Sequence, residues 1–168
     1  METMDIVTIN FLAVMAMMLM GWVVSLITKN VTHVDSLWGL GFVLIAWLTF
    51  AMADGFVGRR ILVSLLVSLW GLRLSLHLSR RNWGHGEDPR YAAWREKSGD
   101  RFWLVSLVKV FVLQAVFLWV ISLALQWAQL SAVPDRFTPW DYVGLGAWIV
   151  GFAFEAFADQ QLARFKAD

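Results

Sequence analysis

The chain has 168 residues, of which 59% are hydrophobic and only 16% charged, with a mean hydropathy of +0.61; this balance excludes an ordinary soluble domain and fits a polytopic membrane protein. A net charge of +1 gives no ground for nucleic-acid binding, and the absence of cysteine removes disulfides, thiolate catalysis and cysteine-based zinc sites. Met1 to Asp5 carries no Lys or Arg, and no small-residue cleavage site precedes the first apolar run, so that run is expected to be a retained span rather than a signal peptide.

Five segments are long enough to cross roughly 30 Å of hydrocarbon at about 1.5 Å per residue. They run from Val7 to Thr28, Val34 to Ala53, Ile61 to Ser79, Phe102 to Leu130, and Trp140 to Asp159. The sequence therefore predicts an all-α integral membrane bundle of about five transmembrane helices, forming one domain over residues 1–168. Short turns at Lys29 to His33 and Asp54 to Arg60, and a Pro-flanked loop at Ser131 to Pro139, only connect; the charged stretch from Arg80 to Arg101 is long enough to do more.

Outside the spans, Arg59, Arg60 and Arg136 fall on one side. Lys29, Arg80, Arg81, Arg90, Arg95, Lys97, Arg101, Arg164 and Lys166 fall on the other. The positive-inside bias then puts the charged loop and the C-terminus in the cytoplasm and the N-terminus outside. Trp103, Trp127 and Trp140 lie near span ends as an aromatic belt would. On the third span Ser64, Ser68, Gly71, Ser75 and Ser79 recur every three to four residues, a face that lets another helix approach closely. Gly39 and Gly41, with Gly144 and Gly146, are expected to serve the same tight packing.

Candidate functional groups follow in chain order. Asp35 opens the second span; it is either a helix N-cap or a buried carboxyl able to donate a proton or hydrogen bond to a substrate oxygen. Arg73 and His77 share a helical face inside the third span, with Arg80 or Arg81 continuing it. An arginine at that depth must face protein, water or a ligand, and Asp35 is a candidate partner for Arg73. In the loop, His85, Glu87 and Asp88 make a weak metal signal; a solvated, self-paired cap over the bundle is the better reading, and no metal site is assigned. Glu155 and Asp159 are one turn apart, with Arg164 and Lys166 beyond. They either form an interfacial ion-pair ladder or offer acceptors to ribose hydroxyls and cations to phosphate.

Four stretches carry a resemblance: Val34-Asp35-Ser36-Leu37-Trp38-Gly39-Leu40-Gly41-Phe42; Leu69-Trp70-Gly71-Leu72-Arg73-Leu74; Arg81-Asn82-Trp83-Gly84-His85-Gly86-Glu87-Asp88-Pro89-Arg90-Tyr91; and Gly151 through Lys166. Through these the chain resembles the bacterial, mostly uncharacterised branch of the steroid 5-alpha-reductase-like membrane proteins. The wider superfamily also holds sterol reductases and isoprenylcysteine carboxyl methyltransferases. The resemblance implies an NADPH-dependent reductase of an activated carbon–carbon double bond in a lipophilic, steroid- or isoprenoid-like substrate. It implies that Asp35, with Arg73 nearby, serves catalysis by holding the substrate carbonyl, and that Glu155, Asp159 and Lys166 contact NADPH.

Two departures bear on what carries over. The tyrosine that steroid reductases pair with their acid, just before the third-span arginine, is replaced by Trp70 and Gly71, which argues against a 3-keto-steroid. The seven-helix family fold also continues past Lys166 into an Arg-His-Pro-Asn-Tyr type motif and two further helices. The chain is therefore expected to be the N-terminal part of such an enzyme, inactive alone, and either unstable, self-associating or paired with a separately encoded C-terminal half. The alternatives are an S-adenosylmethionine-dependent membrane methyltransferase, or a non-catalytic membrane bundle.

Overall fold

The computed structural model describes residues 2–165. Helix makes up 86% of the molecule and no strand occurs among the described residues, so the fold is all-α as the hydropathy implies. The elements are α1 (Thr3–Thr28), α2 (His33–Met52), α3 (Val57–Asn82), α4 (Pro89–Ser98), α5 (Phe102–Ser106), α6 (Leu113–Leu130) and α7 (Pro139–Phe165); a π turn, Leu107–Val112, joins α5 and α6 into one rod. Five helices are long and apolar enough to cross a membrane: α1, α2, α3, the rod through α6, and α7. The protein is thus of the multi-pass membrane type.

The helices run past the boundaries that hydropathy sets. α3 extends from Val57 to Asn82 rather than Ile61 to Ser79 because its polar ends are paired. Arg59 holds Asp141 at 2.7 Å, and Arg60 caps the Phe50 carbonyl. Helix also invades the charged loop, where Asp88 caps α4 by accepting from the Arg90 N–H at 2.9 Å and Pro89 fills the first turn.

Val14 and Met18 of α1, Val34, Phe42 and Ile45 of α2, and Phe111, Ala115 and Leu118 of the rod form the core. α3 joins through α2, along the small-residue face anticipated above. A Cβ on Gly39 would stand 2.2 Å from the Gly71 carbonyl oxygen, so the two backbones touch. Ser79 bonds Ser36 at 3.0 Å along the same seam, and Trp47 donates to Ser68 at 2.9 Å. Gly41 likewise lies under Leu118.

α7 behaves differently. None of its described residues is buried, and nothing lies within 4 Å of where a Cβ would stand on Gly144, Gly146 or Gly151. The expectation that Gly144 and Gly146 mark a tight seam therefore fails. α7 is held off the bundle by polar side chains at its two ends, and its glycines border open space rather than another backbone.

Candidate functional site

The α1–α2 turn, the end of α3, α4 and the end of α7 gather at one edge of the bundle, and the described candidate residues lie toward it. Asp35 is the third residue of α2, whose cap position is Thr32. The N-cap reading is therefore replaced by a tertiary one. Tyr91 of α4 donates its hydroxyl to Asp35 Oδ1 at 3.1 Å, and Oδ2 faces Arg90 at 3.6 Å and Arg81 at 4.0 Å. Trp38, one turn further on, donates to Gln114 of α6, which stands beside the Tyr91 hydroxyl. An acid, a phenol and two guanidiniums thus converge from α2, α3 and α4.

Tyr91 was in view in the sequence only as the end of a motif. Its distance of 56 residues from Asp35 hides the pairing. The one available signal was the aromatic placed two residues after a capped Asp-Pro helix start. The loop does form a self-paired cap. Glu87 accepts from Arg95 at 2.7 Å and from the Val31 N–H at 2.9 Å, while the Asp88 N–H donates to Thr32 at 2.8 Å. These bonds clamp the loop and α4 onto the α1–α2 turn, which is how Tyr91 reaches Asp35. Burial pushes the Glu87 carboxyl up, but the Arg95 guanidinium and the Val31 N–H outweigh it and hold the group below its ordinary range. The Arg90 side chain holds Asp88 down more directly. His85 turns Nδ1 to the Trp83 carbonyl at 3.0 Å and shares no ligand geometry with either acid.

Arg73 does not pair with Asp35. It reaches the other way, to α7, donating to Glu155 at 2.5 Å and to Asp159 at 2.8 Å; Trp70 adds an indole N–H to Glu155 at 2.8 Å, and His77 lies 3.8 Å from Asp159. The spacing explains this, since Trp70, Arg73 and His77 occupy one face of α3 and Glu155 and Asp159 one face of α7. Arg73, Glu155 and Asp159 of the candidate set are therefore brought together and Asp35 forms a separate cluster. Lys166 lies outside the described residues.

Beside this bridge a cleft of about 570 Å³ opens between α3 and α7, lined by Arg73, His77, Arg80, Arg81 and Asp159 among leucines. Arg81 belongs to both clusters, facing the cleft and Asp35. The Arg73 Nε is buried without a hydrogen-bond partner. Arg80 and Arg81, neither of them held by the α7 carboxylates, suit the phosphates of a nucleotide cofactor, which accept charge-assisted hydrogen bonds from guanidinium. The acidic pair fits the other half less simply, because both carboxylates already hold Arg73.

The model of a family described as "Protein of unknown function (DUF1295)" matches residues 21–168. An uncharacterized protein of Schizosaccharomyces pombe is 29% identical over 149 residues, which cover 83% of this chain and 42% of the fungal protein. The chain thus spans less than half the length of that relative. No solved structure matches the chain.

Proposed function

Since the chain belongs to the DUF1295 family, within the steroid 5-alpha-reductase-like group, we propose that it is part of an NADPH-dependent membrane reductase of activated carbon–carbon double bonds in lipophilic substrates. The observation that carries this reading is the Asp35–Tyr91 hydrogen bond of 3.1 Å beside the arginine-lined cleft. It supports the reading because a proton-bearing phenol and its acid then lie beside the arginines that would take an anionic nucleotide.

When bound, NADPH supplies the hydride to the β carbon of an enone, and water supplies the proton to the α carbon. What the chain contributes is the hold on the carbonyl oxygen. Tyr91 turns its O–H from Asp35 to that oxygen, while Arg90 and Arg81 keep the Asp35 charge compensated. In the family pattern the phenol belongs just before the third-span arginine, where Trp70 and Gly71 stand; in this reading α4 supplies it instead. Arg80 and Arg81 would hold phosphate.

The test is cofactor binding to the protein in nanodiscs. NADPH is expected to bind with micromolar affinity and to resist displacement by S-adenosylmethionine; binding of S-adenosylmethionine with no NADPH affinity would replace the reductase reading by methyl transfer.

A further inference from the structure

We propose that the space between α7 and the bundle is a threading groove for one linear hydrocarbon chain, acyl or isoprenoid, with an uncharged polar end. The occupant is then the substrate's tail, not a fused-ring sterol and not a bilayer phospholipid. Calling that occupant a substrate rests on the reductase reading; the groove and its shape do not.

Two chambers run in series along α7. One, of about 430 Å³, is walled by Phe42, Val67, Trp70, Ile121, Leu125 and the stacked rings of Trp148 and Phe152, whose centroids are 4.8 Å apart. The second, of about 260 Å³, continues toward Arg59 and Asp141. Val67 and Trp148 line both, so the chambers adjoin at these two side chains. A flexible chain can bend around that junction and occupy both chambers, whereas a rigid fused-ring body lies in one.

Gly144 and Gly151 lie two turns apart on the α7 face that borders the chambers, and each lacks any atom within 4 Å of its Cβ position. From Gly144 to Glu155 the groove is about 17 Å long at ~1.5 Å per residue. An apolar void of this size, left empty at hydrocarbon depth, forfeits the dispersion contacts of its whole lining.

The groove ends on Trp70 and Glu155, where two carboxylates share the Arg73 guanidinium. Arg73 is already neutralised there by the two carboxylates, so no free cation meets an anionic head, while the carboxylates accept from an alcohol and leave a ketone undisturbed. Arg59 and Asp141, paired at 2.7 Å, close the opposite end.

The experiment uses a long-chain alcohol carrying a terminal diazirine, photolysed with the purified protein in nanodiscs, with labelled peptides read by mass spectrometry. Labelling is expected on α6 and α7 residues that line the chambers, and excess linear isoprenoid alcohol should compete. Gly151→Leu and Gly144→Leu each put a side chain into a chamber without a clash and should cut labelling about tenfold, equivalent to ~1.4 kcal/mol. Gly146→Leu, which borders neither chamber, should leave it unchanged. Equal labelling of all lipid-facing helices, equal competition by a sterol or a phosphatidylglycerol, or unchanged labelling in both filled variants would overturn the proposal. No cofactor enters the assay, so failure of NADPH to bind leaves the groove standing, and loss of the groove leaves the cofactor site untouched.

Discussion

Asp35 shows how much one contact changes the reading of a residue. From sequence it is a cap or a buried acid; the Tyr91 hydroxyl at 3.1 Å and the guanidiniums of Arg90 and Arg81 give it a third character, an anion that orients a phenol. Asp35→Asn keeps an acceptor for Tyr91 but removes the charge the arginines compensate. Turnover in the proposed reaction should fall by about 100-fold, at the low end of general acid–base effects, with NADPH affinity unchanged. Steady-state kinetics beside a cofactor titration separates the two; unaltered turnover would remove Asp35 from the site. The acidic residues and Arg73 were legible because charges inside apolar spans are conspicuous. Their partners were not, because pairing across 82 or 86 residues is set by which helix faces meet.

At the scale of elements, the small-residue face of α3 was readable and α7 was not. Both carry glycine, yet Gly71 of α3 meets the Gly39 backbone of α2 while Gly144, Gly146 and Gly151 of α7 meet nothing. Spacing reveals that a face is small; it does not reveal what lies opposite. Gly39→Ala should force α2 and α3 apart at a cost of about 1–3 kcal/mol, lowering Tm by roughly 2–4 °C per kcal/mol for a chain of this size. Gly146→Ala, facing open space, should leave Tm unchanged or raise it. A thermal shift assay that ranks the two the other way would contradict the α2–α3 seam.

The clamp of the charged loop has a pH dependence whose sign follows from its acids. Glu87 and Asp88 are both held below their ordinary values, near 4.5 and 3.8. Groups depressed in the folded state contribute stability above the unfolded value and lose it as pH falls through the folded one. The clamp should be intact at neutral pH and loosen only under acid below about pH 4, with faster amide exchange over residues 83–91. Glu87→Gln should bring that faster exchange to neutral pH. Exchange that quickens instead as pH rises from 5 to 8, after correction for intrinsic rates, would contradict it.

For the whole molecule, the hydropathy of five segments was enough to establish the class of fold, because a span must satisfy its own backbone and so must be helical. The helix ends escaped it, since Arg59, Arg60 and Arg81 continue α3 through pairings that hydropathy cannot register. With five spans the two ends of the bundle fall on opposite sides, and from the excess of Lys and Arg we propose that α4 faces the cytoplasm. The chain has no cysteine, so single cysteines can report on this without background. Ser98→Cys should react with an impermeant maleimide only after the cytoplasmic face is opened, and Asp135→Cys should react from outside. The reverse pattern would invert the bundle and place the arginine-lined cleft away from cytosolic NADPH.

If Tyr91 holds a substrate carbonyl beside a nucleotide cleft, oxidation of NADPH depends on an enone and on the Tyr91 hydroxyl. The full-length protein in nanodiscs is predicted to consume NADPH only when a long-chain enone is present, with Tyr91→Phe about 100-fold slower at equal cofactor affinity. Tyr91→Phe turning over at the wild-type rate, or no enone-dependent oxidation by the wild-type protein, would contradict the account.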